Sequence, residues 1–107
     1  MMAPSDALRE AARLLDLAAT WDDPADVYET PDLVREAIPF LETAIREARH
    51  GTRTRKCARE ALQMCREELR GEADRRSAYC FNWNRIKSHS DILAVILSWR
   101  RLPRLAT

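Results

Sequence analysis

Over most of its length the chain repeats one spacing, with apolar side chains three or four positions apart and charges between them. Leu8, Ala11, Ala12, Leu15, Ala18 and Ala19 follow it, as do Val34, Ala37, Ile38, Leu41, Ile45 and Ala48, and then Ala58, Ala61, Leu62, Cys65 and Leu69. Residues so spaced share one face of an α-helix, whereas a half-buried strand would need strict alternation. Composition points the same way. Ala, Leu, Glu, Arg and Lys supply 55 of the 107 residues, and Val, Ile and Thr only 14. The chain is therefore predicted to be all-α, a bundle of four to five helices with no sheet. A chain of this length supports one core, so residues 1–107 are expected to form a single helical domain.

Helix boundaries follow from local chemistry. Ser5 is an expected N-cap for the first helix, which should stop at Trp21-Asp22-Asp23-Pro24. Thr30-Pro31-Asp32 places a capping hydroxyl, a proline and an acid at the start of the second. Pro39 removes one backbone donor from that helix and predicts a kink before its end near His50-Gly51. Thr52 or Thr54 should cap a third helix, with Gly71 as its terminator. From Asp74 a fourth helix would carry Tyr79, Trp83 and Ile86 on one face and Phe81 off it, and Ser90-Asp91 would cap a fresh segment closed by Pro103. In that last segment, Ile92 to Trp99 is apolar almost throughout, and its β-branched content leaves helix and strand both open. A helix apolar on nearly all sides needs either a central place in the bundle or a partner.

The charge, +1 in total, is unevenly spread. Residues 1–48 hold eleven acids against four arginines, and residues 49–107 hold fourteen bases against six acids. Arg49, Arg53, Arg55, Lys56 and Arg59 fall in a stretch with no acid at all, which makes them the candidate nucleic-acid contacts. Elsewhere in the basic half, glutamates interleave at helical spacing, the pattern of a solvated face.

Catalytic and ligand-binding motifs are not found. Zinc sites need clustered ligands, but Cys57, Cys65 and Cys80 are widely spaced, and His50 and His89 stand alone, at a helix end and in an expected loop. Neither histidine has a neighbouring motif that would activate a cysteine or serine nucleophile. The only glycines are Gly51 and Gly71, too few for a phosphate cradle. The expectation is a protein without enzymatic activity, metal, cofactor or small-molecule substrate. Ile92 to Leu97, the longest apolar run, is far below the ~20 residues of a membrane span. Asp6, Arg9 and Glu10 occupy the region where an export signal would be apolar, so thiols in a reducing compartment are expected.

The segment Asp74-Arg75-Arg76-Ser77-Ala78-Tyr79-Cys80-Phe81-Asn82-Trp83-Asn84-Arg85-Ile86 is similar to one in the first Psf subunit of the eukaryotic GINS complex. Arg75 and Arg76 match that family's basic pair, Cys80-Phe81 stands for its small-plus-aromatic pair, and Arg85-Ile86 matches its close. Upstream, Pro31-Asp32-Leu33-Val34-Arg35-Glu36 resembles the start of its second helix. The resemblance spans residues 8 to 90 and has no counterpart for the family's small β-rich C-terminal domain. It implies a nuclear, non-catalytic subunit of a hetero-oligomer that supports the replicative helicase, associated with DNA only indirectly. Tyr79, Phe81, Trp83, Ile86, Ile92, Ile96 and Trp99 would then contact sister subunits. Two other readings stay open: a small helical module that binds nucleic acid directly, and a cytoplasmic adaptor or regulator of viral or bacterial origin acting by protein contact.

Overall fold

Proline's fixed φ and missing N–H suit the first turn of a helix, and Pro4 opens α1 (Pro4–Ala19) in that way. In the computed structural model the described residues are 3–20, 30–75 and 82–101, the side chains of 72–75 and 99–101 excepted. The cap residue of α1 is Ala3, with no side-chain bond, so Ser5 lies inside the helix rather than capping it. Three further helices follow: α2 (Thr30–Glu47), α3 (Arg53–Arg75) and α4 (Trp83–Arg101). The protein is an all-α bundle, with four helices and no strand among the described residues. Ile92 to Leu97 is helix.

The helices form a ring in which α1 packs on α2 and α4, and α3 packs on α2 and α4, the α3–α4 seam being the smallest. Neighbours run antiparallel. Thr30, at the start of α2, reaches Ala18 at the end of α1. On the other side Lys87 of α4 pairs with Asp16 of α1, and Ser90, further along α4, meets Ala12, further back on α1. One core serves all four helices. Because α1 faces two neighbours it buries Ala7 and Leu14 as well as the predicted Leu8, Ala11, Ala12, Leu15 and Ala18. From α2 come Val34, Ala37, Leu41 and Ala44, from α3 Ala58, Ala61, Leu62, Met64 and Cys65, and from α4 Ile86, Leu93, Ile96 and Leu97.

Several boundaries differ from the local reading, each for a physical reason. Pro39 does not split α2: it is exposed, as is Arg35 one turn earlier, so the carbonyl left without its amide partner meets water instead of apolar core. Gly71 does not end α3, which continues to Arg75 and so includes Asp74. Only Gly51 takes the left-handed conformation, at φ +77°, in the turn after α2. Thr52 is the cap of α3, its Oγ1 accepting from the Arg55 amide at 3.3 Å and donating to the Arg49 carbonyl at 2.7 Å. Asn82 caps α4 by accepting from the Arg85 amide at 3.0 Å. Ser90 and Asp91 therefore lie in mid-helix, and His89 is in α4 rather than in a loop.

Ser90 and Thr30 are buried for a common reason. Each donates its hydroxyl to a carbonyl of α1, Ser90 Oγ to Ala12 at 3.0 Å and Thr30 Oγ1 to Ala18 at 3.2 Å. The Ala18 carbonyl lies in the last turn, beyond reach of an intrahelical amide, whereas that of Ala12 is in the helix interior and already bonded. Thr30→Val should therefore cost about 1–2 kcal/mol by leaving a buried acceptor unpaired, and Ser90→Ala about 1 kcal/mol or less. Urea titration of the two variants checks the order.

Candidate functional site

Two surfaces among the described residues bear on the expected contacts. The first is the outer face of α4. Ile92 and Val95, three residues apart and thus adjacent on the helix, are 41% and 46% exposed. The helix turns its opposite side inward through Ile86, Ser90, Leu93 and Leu97. Of the residues expected to meet sister subunits, Ile86 and Ile96 are spent on the chain's own core and Trp83 packs partly buried against it, which leaves Ile92 available. Val95 joins it, a residue that the run of apolar letters contained but could not orient. Tyr79, Phe81 and the side chain of Trp99 lie outside the described residues.

Arg85, one position before Ile86, closes the α3–α4 seam. Its Nη2 donates to Glu67 Oε2 at 2.6 Å and its Nη1 lies 3.7 Å from Glu68 Oε2, while the Asn82 amide donates to Glu68 Oε1 at 2.6 Å. The hydrogen bond from Arg85, with a further one from Gln63, holds the Glu67 carboxyl below its usual pKa.

The second surface is basic. A cleft of about 1000 Å³ lies where the end of α2 and the turn after it meet α3, lined by Arg53, Arg55, Lys56, Arg59 and Arg66 against the single carboxylate Glu60. Arg53, Arg55, Lys56 and Arg59 are thus brought together as their sequence stretch suggested; Arg49 is exposed in the turn and does not line the cleft. Arg55 is partly occupied, since its Nη1 donates to His50 Nδ1 at 2.7 Å, which places the histidine proton on Nε2. Arg66 was missed by reading a contiguous stretch, although its signal was present: it follows Arg59 by seven residues, two turns of one face.

The thiols and histidines are placed without a catalytic constellation among the described residues. Burial pushes the Cys65 thiol up to about 12 and also raises Cys57, where Glu60 adds to the effect, so both stay protonated at neutral pH. No three His, Cys, Asp or Glu side chains among the described residues group as metal ligands. No helix among them is long and apolar enough to cross a membrane.

His89 gives the fold a pH dependence. Burial first, and Arg85 second, hold its pKa below the ordinary 6.5, against a smaller opposing pull from Glu60. The neutral ring is the form that the fold accepts, so its contribution is complete above 6.5 and is lost as pH falls through the depressed folded value. Urea midpoints should fall between about pH 7.5 and 5.5, and His89→Gln should remove that part of the slope. Glu67 shifts downward from 4.5, so its contribution is lost only in more acidic solution.

Comparison with known protein families, curated proteins and solved structures gives no match.

Proposed function

We propose that the protein is a non-catalytic subunit of a GINS-like hetero-oligomer supporting the replicative DNA helicase, and that it joins its sister subunits through the outer face of α4. The observation that carries this reading is the exposed pair Ile92 and Val95 on a helix whose inner face is already filled. Apolar side chains grouped on an outer helical face gain free energy when a second helix covers them, at about 25 cal/mol per Å² of apolar surface removed from water. Of the residues that resemble the family's close, Arg85 ties α4 to α3 and Ile86 anchors it in the core. Together they fix the orientation in which Ile92 and Val95 are presented. The separation of acidic and basic halves supports register in such an assembly, since complementary charge governs encounter and orientation more than affinity.

Co-expression of the full chain with GINS sister subunits from the same source tests the proposal. Co-elution of the wild type is expected, with loss of co-elution for Ile92→Arg/Val95→Arg while the helical circular dichroism is retained. A wild-type chain that remains a monomer beside those subunits, or a double variant that still assembles, defeats it.

A further inference from the structure

Among the described side chains, the cations of α1, α2 and α4 are all paired. Arg9 pairs with Asp6, Arg13 with Glu10, Arg35 with Asp32, Arg46 with Glu47, Arg85 with Glu67, and Lys87 with Asp16 and Asp91. Helix α3 differs. Lys56, Arg59, Arg66 and Arg70 are exposed, and none of them forms an ion pair or a side-chain hydrogen bond among the described residues. Arg59, Gln63, Arg66 and Arg70 recur at four, three and four residues, which puts them in line on one face, with Lys56 beside its start. At 1.5 Å per residue the row from Lys56 to Arg70 is about 21 Å long. Among the described side chains the carboxylates nearest to this row are Glu67, which is bonded by Arg85 and lies within the field of Arg70, and Glu60 at the margin, two against four cations.

We infer that the outer face of α3 binds the phosphate backbone of a nucleic-acid duplex, independently of base sequence. This activity goes beyond assembly through α4 and uses different residues. Three features choose the occupant. A straight row of unpaired cations matches a ligand that carries a negative charge about every 1.7 Å along its axis. Among the described residues the basic cleft and row include no Phe, Tyr or Trp, and the one ring in the cleft, His50, is held by Arg55 at 2.7 Å, so this surface has no free stacking platform of the kind on which single strands depend. Gln63, the one amide in the row, already donates to Glu67 at 2.8 Å, which ties up the nitrogen that a bidentate reading of a base edge needs. What remains is contact to phosphate, which orients a duplex without specifying its sequence.

The test is fluorescence anisotropy of a labelled DNA duplex of about 20 base pairs titrated with the full chain at several salt concentrations. Four phosphate contacts predict a slope of log K against log salt near −3.6, so that affinity falls by roughly 150-fold between 50 and 200 mM. Arg59→Gln/Arg66→Gln should halve the slope to about −1.8. Arg9→Gln/Arg13→Gln, which also removes two cations but takes them from existing pairs, should leave it near the wild-type value. Both double variants change exposed side chains, and circular dichroism confirms that each is folded. Equal binding of duplex RNA supports backbone recognition. No binding at 50 mM salt overturns the proposal, as does tighter binding of a single strand, or of poly-glutamate, which would mark the face as a site for acidic protein.

Discussion

Leu15→Ala is expected to lower the free energy of unfolding by about 3–4 kcal/mol and the melting temperature by roughly 15 °C. Leu15 is completely buried, on a helix that packs against two others. The substitution removes the transfer free energy of the lost atoms and leaves a cavity. Its companions on the buried face of α1 include Ala7, Ala11, Ala12 and Ala18, which have no side-chain length with which to fill the space. Relaxation therefore requires helix backbones to move, which a close-packed interior resists. The denaturant dependence should keep its slope while the midpoint falls. A loss below about 1 kcal/mol would mean that α1 is not held between α2 and α4.

The second large effect inverts what residue size alone suggests. Ile86→Ala should cost about 3 kcal/mol, and Trp83→Ala about half as much. A large aromatic ring at the centre of a buried face would normally be the costlier loss. Here Trp83 is the first residue of α4 and only partly buried, whereas Ile86, one turn in, is fully enclosed. Arg85→Ala, between them, removes the bonds to Glu67 and Glu68 at a partly solvated seam, and its effect should be far smaller than either. Urea titration of the three variants ranks them; a larger loss for Trp83→Ala than for Ile86→Ala contradicts the packing described for α4.

Much of the core was legible in the sequence, because periodicity encodes a helix face. The stripes contained Val34, Ala37 and Leu41 of α2 and Ala58, Ala61, Leu62 and Cys65 of α3, all buried, while Ile38, Ile45 and Leu69 are only partly so. Three kinds of feature could not be read in this way. Ala7, Leu14, Ala44 and Met64 lie off the stripes yet are buried because each helix of the ring has two neighbours, a fact of topology that no window of letters contains. Ser90 resembles a cap because a serine before an apolar run usually is one, yet its hydroxyl satisfies a carbonyl on another helix. Gly51 and Gly71 are the same residue with opposite outcomes, since glycine tolerates both the left-handed turn and the helix. The candidate surfaces divide similarly. The basic cleft was visible as a contiguous stretch, but its continuation through Arg66 and Arg70 needed a helix to align it. The α4 face needed the structure to separate Ile92 and Val95 from Ile86 and Ile96.

The two hydroxyl bonds to α1 are alike in chemistry and unequal in chain entropy. Thr30 closes a loop of 12 residues and Ser90 one of 78, and bringing the more distant pair together costs about 1.7 kcal/mol more. The first three helices can meet as successive hairpins, each by local closure. The fourth must return across nearly the whole chain to find α1, and its contact with α3 is the smallest in the ring. Docking α4 is consequently the slowest-rewarded step of folding. An external helix lying across Ile92 and Val95 would act as a clasp on the helix whose contact with α1 closes the longest stretch of chain.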